Sequence, residues 1–304
     1  MIIPIAVVVI NYRMEELTIS FVKNELSKIN YPHRIIIINN GATKDSNDFL
    51  CNELDADLVY DIENGYSTNR DIVVISSSDN LGFAQGNNLG VYFCERWYTP
   101  DYYLFTNNDI QINDTDIIER LIEKLYKTPD IGVIGPRVIG LDGIEQSPYP
   151  YYSFWNRYVW AYWSSLFFTL KKRIKIFDLD YPQKAKEGYH YYVMGSFFIV
   201  RATDFRKCGM FDPGTFLYAE EMILSERMKA INKKVYYCPT VTVIHAHGAT
   251  TKQYVKSSIN DIQFESICFY YKKYRHTGDF VIGIGRMTQK ILKLKEKWGH
   301  LLKR

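Results

Sequence analysis

Three uninterrupted apolar runs rich in β-branched residues constrain this chain most: "IAVVVINY" (5–12), "RIIIINN" (34–40) and "DIVVISS" (71–77). A run without polar alternation suits a strand buried on both faces, as in the parallel centre of an α/β sheet. Stretches with helical spacing follow each run. "EELTISFVKNELSKI" (15–29) places Leu17, Phe21, Leu26 and Ile29 on one face, "SNDFLCNEL" (46–54) starts at Ser46 as a cap, and "AQGNNLGVYFCERW" (84–97) is the third. A strand in "DYYLFTNND" (101–109), a helix over 115–127 and a strand over 131–138 continue the alternation. The expected fold is therefore α/β, with a mostly parallel central sheet, flanking helices and right-handed crossovers. A chain of 304 residues can build one large domain of this kind or two modest ones.

The second half changes character. Residues 147–193 are rich in Pro, Tyr and Trp without a clear period. Regular pattern returns as a strand at 195–201, a short helix, an Asp-Pro-Gly turn, a helix near 220–232 and a strand at 235–247. From about 258 onward the pattern is helical, with breaks expected near "HTGD" and "GIG".

Composition excludes several classes. A net charge of +3 is too small to argue for nucleic acid. Five scattered cysteines with no CxxC suit neither a zinc site nor a disulfide framework, so a reducing cytoplasm is the simplest compartment. "MIIPIAVVVI" lacks a basic flank and a small-residue cleavage site, and both it and "YVWAYWSSLFFTL" (158–170) fall short of the ~20 residues a spanning helix needs. "KKRIKIF" (171–177) and "KILKLKEKWGHLLKR" (290–304) concentrate positive charge, as a solvated face or as a contact for anionic lipid would. The aromatic stretch 149–169 fits a subdomain core, an acceptor platform or an interfacial segment. No G-x-G-x-x-G follows the first strand, and neither a P-loop nor a G-x-S-x-G elbow occurs.

Short polar side chains stand where the strands end: Asn11, Asn39 and Asn40, Ser76 to Asn80, and Asn107 to Asp109. Turn chemistry favours Asn and Asp there. Four such ends on one sheet also describe a ligand cleft, because α/β sheets bind beyond the carboxyl ends of their strands.

The ordered segments "VVVINY", "IIIINNGATKDS", "SDNLGFAQGNNLG", "LFTNNDI", "GSFFIVRATDFRKCGMFD", "FLYAEEMILSERM" and "VIHAHGATT" resemble the successive motifs of bacterial family 2 glycosyltransferases, particularly their rhamnosyltransferase-like branch. The resemblance covers about residues 4–275. It implies a GT-A fold, a nucleotide-diphosphate sugar donor, a divalent cation (Mg²⁺ or Mn²⁺) and inversion at the anomeric carbon. It also implies a catalytic domain over 1–255, divided into a nucleotide-sugar half (1–140) and an acceptor half (141–255), and a C-terminal helical extension over 256–304.

Carried over residue by residue, Asp109 matches the family's metal-binding acid, with Asn107 at the first position of that motif and Asn108 between them. A cation held by one or two protein ligands plus phosphate oxygens suits the leaving of a diphosphate. His245 matches a histidine that can complete the site, and His247, two residues on, is a second candidate. Glu221 takes the place of the catalytic base, which is Asp in the family pattern, with Glu220 beside it. A further acidic position of the pattern is filled by Ile223. Arg227 matches an arginine that contacts pyrophosphate or pairs on its own helix. The nucleotide is expected at Asn11, Tyr12, Asn39, Asn40, Asp79 and Asn80, with Gly82 and Gly86 allowing close approach of backbone to ligand. Asn87 and Gln85 are sugar contacts or helix-entry residues.

The resulting expectation is an inverting glycosyltransferase using dTDP-rhamnose or a UDP-hexose. Its acceptor is a saccharide or lipid-linked saccharide in surface-polysaccharide synthesis. It works in the cytoplasm, with peripheral contact to the inner membrane face and no nucleic-acid partner. A sugar-nucleotide nucleotidyltransferase would need a glycine-rich basic loop where "NYRMEE" stands. A non-catalytic carbohydrate- or nucleotide-sugar-binding protein is the other alternative.

Overall fold

A computed structural model describes residues 5–64, 70–160, 185–246 and 256–301, excepting side chains at 256–258, 292 and 295–301. The first half reads β1 (Ile5–Asn11), α1 (Glu15–Asn24), a 3₁₀ turn (Leu26–Lys28), β2 (His33–Asn40), α2 (Lys44–Leu54), β3 (Asp57–Val59), β4 (Ile72–Ser77), α3 (Gly82–Trp97), β5 (Tyr102–Thr106), β6 (Ile110–Ile112), α4 (Ile117–Lys127) and β7 (Ile131–Gly140). After a π-helical turn (Trp155–Trp160) come β8 (Gly188–His190), β9 (Phe197–Arg201), α5 (Ala202–Lys207), α6 (Glu220–Ala230), β10 (Lys234–His245), α7 (Lys256–Tyr274) and α8 (Asp279–Leu301).

Among the described residues ten strands join one sheet in the order β3-β4-β2-β1-β5-β9-β7-β10-β6, with β8 also on β10. β1 to β5 run parallel to one another, as do β7 and β10, whereas β9 pairs antiparallel with β5 and β7, and β6 and β8 pair antiparallel with β10. The sheet is thus mixed, and it continues through both halves of the chain.

The apolar runs are buried on both faces. Ile5, Val7 and Val9 enter one core cluster with α1, α2 and α4, while Ala6 and Val8 enter another with α3, α5 and α6. Burying each such side chain contributes about 1.5–3 kcal/mol, with β-branched shape favouring the strand. A third cluster, lying apart, joins Phe154, Tyr158 and Val159 to α6, α7 and α8. The described part of the aromatic stretch is therefore largely subdomain core, although Trp155 and Trp160 face outward. Residues 161–184 lie outside the described residues.

Several boundaries differ from expectation for local reasons. α2 is capped by Thr43, not Ser46. The Thr43 hydroxyl accepts from the Ser46 N–H, and Ser46 Oγ accepts in return from the Thr43 N–H, a capping box. α1 ends at Asn24, before Ile29, and Leu26–Lys28 tightens into the 3₁₀ turn. α8 runs straight through "GIG", because Gly285 lets the helix close onto Phe154 and Phe264. β3, β6 and β8, at three residues each, are too short to show a period.

Candidate active site

The ends of β1 and β2 come together in register, Asn11 opposite Asn39, and β4 places Ser76 opposite Asn39. Their side chains form a continuous buried network. Asn11 donates to Asn39 Oδ1 at 2.8 Å and accepts from Thr18 Oγ1 at 2.8 Å. Asn39 donates to Ser46 Oγ at 2.9 Å and to Asn47 Oδ1 at 2.8 Å, and Asn47 donates to Ser76 Oγ at 2.9 Å. Asn108 joins by donating to Thr18 Oγ1 at 2.8 Å. Both amide hydrogens of Asn39 are used inside the protein, so this geometry makes Asn11, Asn39 and Asn108 braces beneath the rim. Tyr12 and Asp79 stand further out, Tyr12 half-buried and Asp79 exposed.

The segment around α3 serves a purpose the sequence did not reveal. Gly82 has φ +71°, and a methyl there would overlap the Phe216 carbonyl, 2.9 Å from its carbon. Phe83 N–H donates to that same carbonyl at 2.9 Å, and Asn88 exchanges two hydrogen bonds with the Phe211 backbone. Asn80 Oδ1 accepts from the Gly82 N–H, while Gly86 faces Asn40 and Ile10. Asn87 bonds within its own helix, to the Phe83 carbonyl. The close approach expected between Gly82 or Gly86 and a ligand is here an approach to protein: Gly82 seats loop 211–219, and Gly86 packs on the end of β2.

That loop delivers the carboxylates. Tyr218 and Ala219 both adopt left-handed backbone, at φ 75° and 73°, immediately before α6 begins at Glu220. Two consecutive non-glycine residues there store strain of order 1–3 kcal/mol each, held by the surroundings. α3 holds the loop from one side. α7 holds it from the other: Ser266 Oγ donates to the Leu217 carbonyl at 2.8 Å, Phe269 covers Gly214, and Lys273 reaches Asp212 at 2.7 Å.

Glu221 Oε1 accepts from the Gly195 N–H at 3.0 Å, an approach possible because Gly195 has no side chain. Glu220 is buried, and its Oε1 has no hydrogen-bond partner. Burial, and then the charge of Glu221, push the Glu220 carboxyl up to about 8. Burial also raises Glu221, but the Gly195 N–H and its own backbone N–H act the other way. A close carboxylate pair in such a place holds one charge more readily than two. Glu221, held by the Gly195 N–H, is a better seat for it than Glu220, whose Oε1 is left without a partner and whose carboxyl its neighbour's charge raises.

Asp109 and His245 meet beside Asn107, whose backbone is tied to Ser196. The Ser196 carbonyl accepts from the Asn107 N–H at 2.9 Å, and the His245 neighbour Ala246 donates its N–H to the Asp109 carbonyl at 2.9 Å. Both side chains are buried, with His245 Nε2 lying 3.3 Å from Asp109 Oδ1. That oxygen has no hydrogen bond. Asn107 Nδ2 lies 3.5 Å from the same Nε2. His245 Nδ1 contacts Gln146 Oε1 at 2.7 Å, which places the ring proton on Nδ1 and leaves the Nε2 lone pair turned toward Asp109. An orphaned carboxylate oxygen beside an imidazole lone pair suits a divalent cation, and an N/O donor pair suits Mn²⁺ as well as Mg²⁺. Among the described residues no third His, Cys, Asp or Glu joins them; His247 lies outside those residues.

Arg227 is committed elsewhere. It donates to the Gly209 and Met210 carbonyls and to Tyr274 Oη, and pairs with Asp212 at 3.3 Å. This geometry makes it a tie between α6, the start of the loop and α7. Sequence reasoning missed Gln146, Gly195, Ser196 and Thr215. Gly195 carried a readable signal, a glycine at the entrance of a strand. Among the described residues, five of the eight buried side-chain oxygens without hydrogen-bond partners belong to these rim segments: Asn40 Oδ1, Asp109 Oδ1, Ser196 Oγ, Thr215 Oγ1 and Glu220 Oε1. Such groups are costly unless something satisfies them, and a polyhydroxylated, phosphorylated ligand would do so.

The model of "Glycosyl transferase family 2" matches residues 6–208, more than half of the chain. The chain is 22% identical over 243 residues to the low-salt glycan biosynthesis hexosyltransferase Agl10 of Haloferax volcanii, covering 79% of this chain and 66% of that protein. It is 25% identical over 172 residues to the rhamnosyltransferase WbbL of Escherichia coli K12, covering 54% and 60%. The chain thus spans slightly under two thirds of each relative's length. In fold it is similar to the mannosyltransferase PcManGT from Pyrobaculum calidifontis, solved with GDP-Man and Mn²⁺, with TM-score 0.56 and 9% identity over 99% of this chain and 81% of that one. The architecture is accordingly GT-A-like. The family match ends before α6 and β10, so Glu220, Glu221 and His245 lie outside it.

Proposed function

The chain belongs to glycosyl transferase family 2, and on that footing we propose an inverting, metal-dependent transfer from a nucleotide-diphosphate sugar to a saccharide or lipid-linked saccharide acceptor in surface-polysaccharide synthesis. One observation supports this reading: Glu221 is hydrogen-bonded to Gly195, and Asn107, in the Asn107–Asp109 motif that carries the Asp109–His245 pair, is hydrogen-bonded to the adjoining Ser196.

Glu221, charged and anchored by the Gly195 N–H, takes the proton from the acceptor hydroxyl. The freed oxygen bonds to the anomeric carbon from the face opposite the diphosphate. The carbon–phosphate-oxygen bond breaks, and the nucleoside diphosphate leaves with its electron pair, which inverts the centre. Glu220, kept neutral by burial and by its neighbour, is a hydrogen-bond donor to the sugar or acceptor. Asp109 and His245 would hold the cation, Mn²⁺ or Mg²⁺, which supplies charge neutralisation for the leaving diphosphate. The nucleotide lies over Tyr12, Asn40, Asp79 and Asn80, above the Asn11–Asn39–Asn108 brace.

The donor we favour is dTDP-rhamnose, with a UDP-hexose as rival; the activities of WbbL and Agl10 point in these two directions. No described helix is long and apolar enough to cross a membrane, and we place the enzyme in the cytoplasm at the inner membrane face. The test is donor turnover with Mn²⁺ across a panel of nucleotide sugars, in the native chain and in Glu221→Gln. A donor consumed by the native chain, and at least about 10²-fold more slowly by the variant, is expected. Donor binding without turnover by the native chain would instead make it a binding protein.

A further inference from the structure

α8 carries two apolar faces. One holds Ile282 and Gly285 against the third core cluster. The other is open to solvent: Phe280 is 81% exposed, Met287 52%, Ile291 38% and Leu294 57%. At about 100° per residue these four positions fall within a stripe of roughly 60° on the helix surface. Lys290 is exposed beside the stripe. Arg286 and Lys293 lie further round on the same side as Lys290, pairing with Glu265 and Asp261 of α7.

We propose that this outer face of α8 is a docking surface for an anionic lipid bilayer, on which the helix lies flat. Charge supports that occupant. Residues 290–304 hold six Lys or Arg against one Glu, so the rest of the chain nets −2 although the whole is +3. The positive charge is thus concentrated on the segment that bears the stripe, as attraction to acidic headgroups requires. The adjoining π-helical turn exposes Trp155 at 46% and Trp160 at 63%, a residue type that favours the water–lipid boundary. A second copy of the chain fits less well. A heptad seam through Phe280, Met287 and Leu294 would continue through Ile284 and Ile291, and Ile284 is already packed on the third core cluster. This inference does not depend on the transfer reaction.

The experiment is co-sedimentation of the full chain with vesicles of phosphatidylcholine alone and of phosphatidylcholine mixed with phosphatidylglycerol, at low and high NaCl. Binding only to the anionic vesicles, weakened by salt, is expected. The combined substitution Phe280→Ser, Met287→Ser and Leu294→Ser should reduce binding by about tenfold or more. Lys290→Glu, a surface change that spares folding, should reduce it about tenfold as well. The melting temperature and donor turnover of Lys290→Glu should match those of the native chain. Failure to bind anionic vesicles, equal binding to neutral ones, or binding unchanged in Lys290→Glu would overturn the proposal. So would light scattering showing a dimer that the triple substitution dissociates.

Discussion

A methyl group at Gly195 gives the sharpest test of the catalytic geometry. In Gly195→Ala the new Cβ would overlap the Glu221 carboxyl, standing 2.8 Å from its Cδ and 3.0 Å from its Cγ. Ordinary carbon contacts need about 3.5–4.0 Å, so the carboxyl must retreat by roughly 1 Å. Its escape is easy, since the obstacle is the far end of a flexible side chain. The stability cost is then near that of one lost hydrogen bond, about 0.5–1.5 kcal/mol. Catalysis should suffer far more, because a base misplaced by about 1 Å forfeits on the order of 10²-fold in rate. Steady-state transfer kinetics beside a thermal melt separate the two effects: kcat should fall about 10²-fold while Tm drops by only a few degrees. Shortening the clashing side chain, in Gly195→Ala with Glu221→Asp, should recover part of the loss. If Gly195→Ala turns over like the native chain, Glu221 does not act from the place the structure gives it.

Other outcomes follow from neighbouring groups. Glu220 keeps its proton in the folded state up to about 8, whereas the unfolded chain releases it near 4.5, so its contribution is full below the lower value and declines as pH rises toward the upper. At about 1.4 kcal/mol per pH unit the decline reaches a few kcal/mol; Glu220→Gln should therefore melt close to the native chain near the lower pH and gain stability relative to it on approaching the upper, as read by melts across pH. A pH-independent difference would refute this. Asn39→Ala strands buried polar groups on Asn11 and Asn47, at a cost of about 2–4 kcal/mol, and should lower Tm by roughly 5–10 °C; an unchanged melt would show that the network is not load sharing. Gln146→Leu releases the His245 ring and should weaken Mn²⁺ binding about 10–100-fold, measured by calorimetry with nucleoside diphosphate present; native affinity in the variant would remove Gln146 from that role.

The sheet was readable because burial on both faces leaves an unmistakable mark: β1, β2 and β4 fall within a residue of their apolar runs. What was not readable depended on contacts distant in sequence. Nothing local distinguishes an asparagine that faces a ligand from one sunk beneath the rim, and only the packing of α2 against β2 turns Asn39 inward. Gly82 was expected to let backbone approach a ligand closely, but its neighbour is Phe216, 134 positions along the chain. Arg227 sits in an expected helix, yet its partners come from loop 209–212 and from Tyr274. By contrast, the pairing of Asp109 with His245 followed from aligned motifs, and the structure brings the two together through β6 and β10.

The central claim is that Asp109 and His245 seat the cation that accompanies the donor's diphosphate. Titration of Mn²⁺ into the protein with UDP or dTDP present, followed by the electron paramagnetic resonance signal of the free ion, addresses it directly. The native chain should take up one nucleotide-dependent Mn²⁺, and Asp109→Asn should bind it at least about tenfold more weakly, since a ligand charge is lost. Equal uptake by the two proteins would contradict the account.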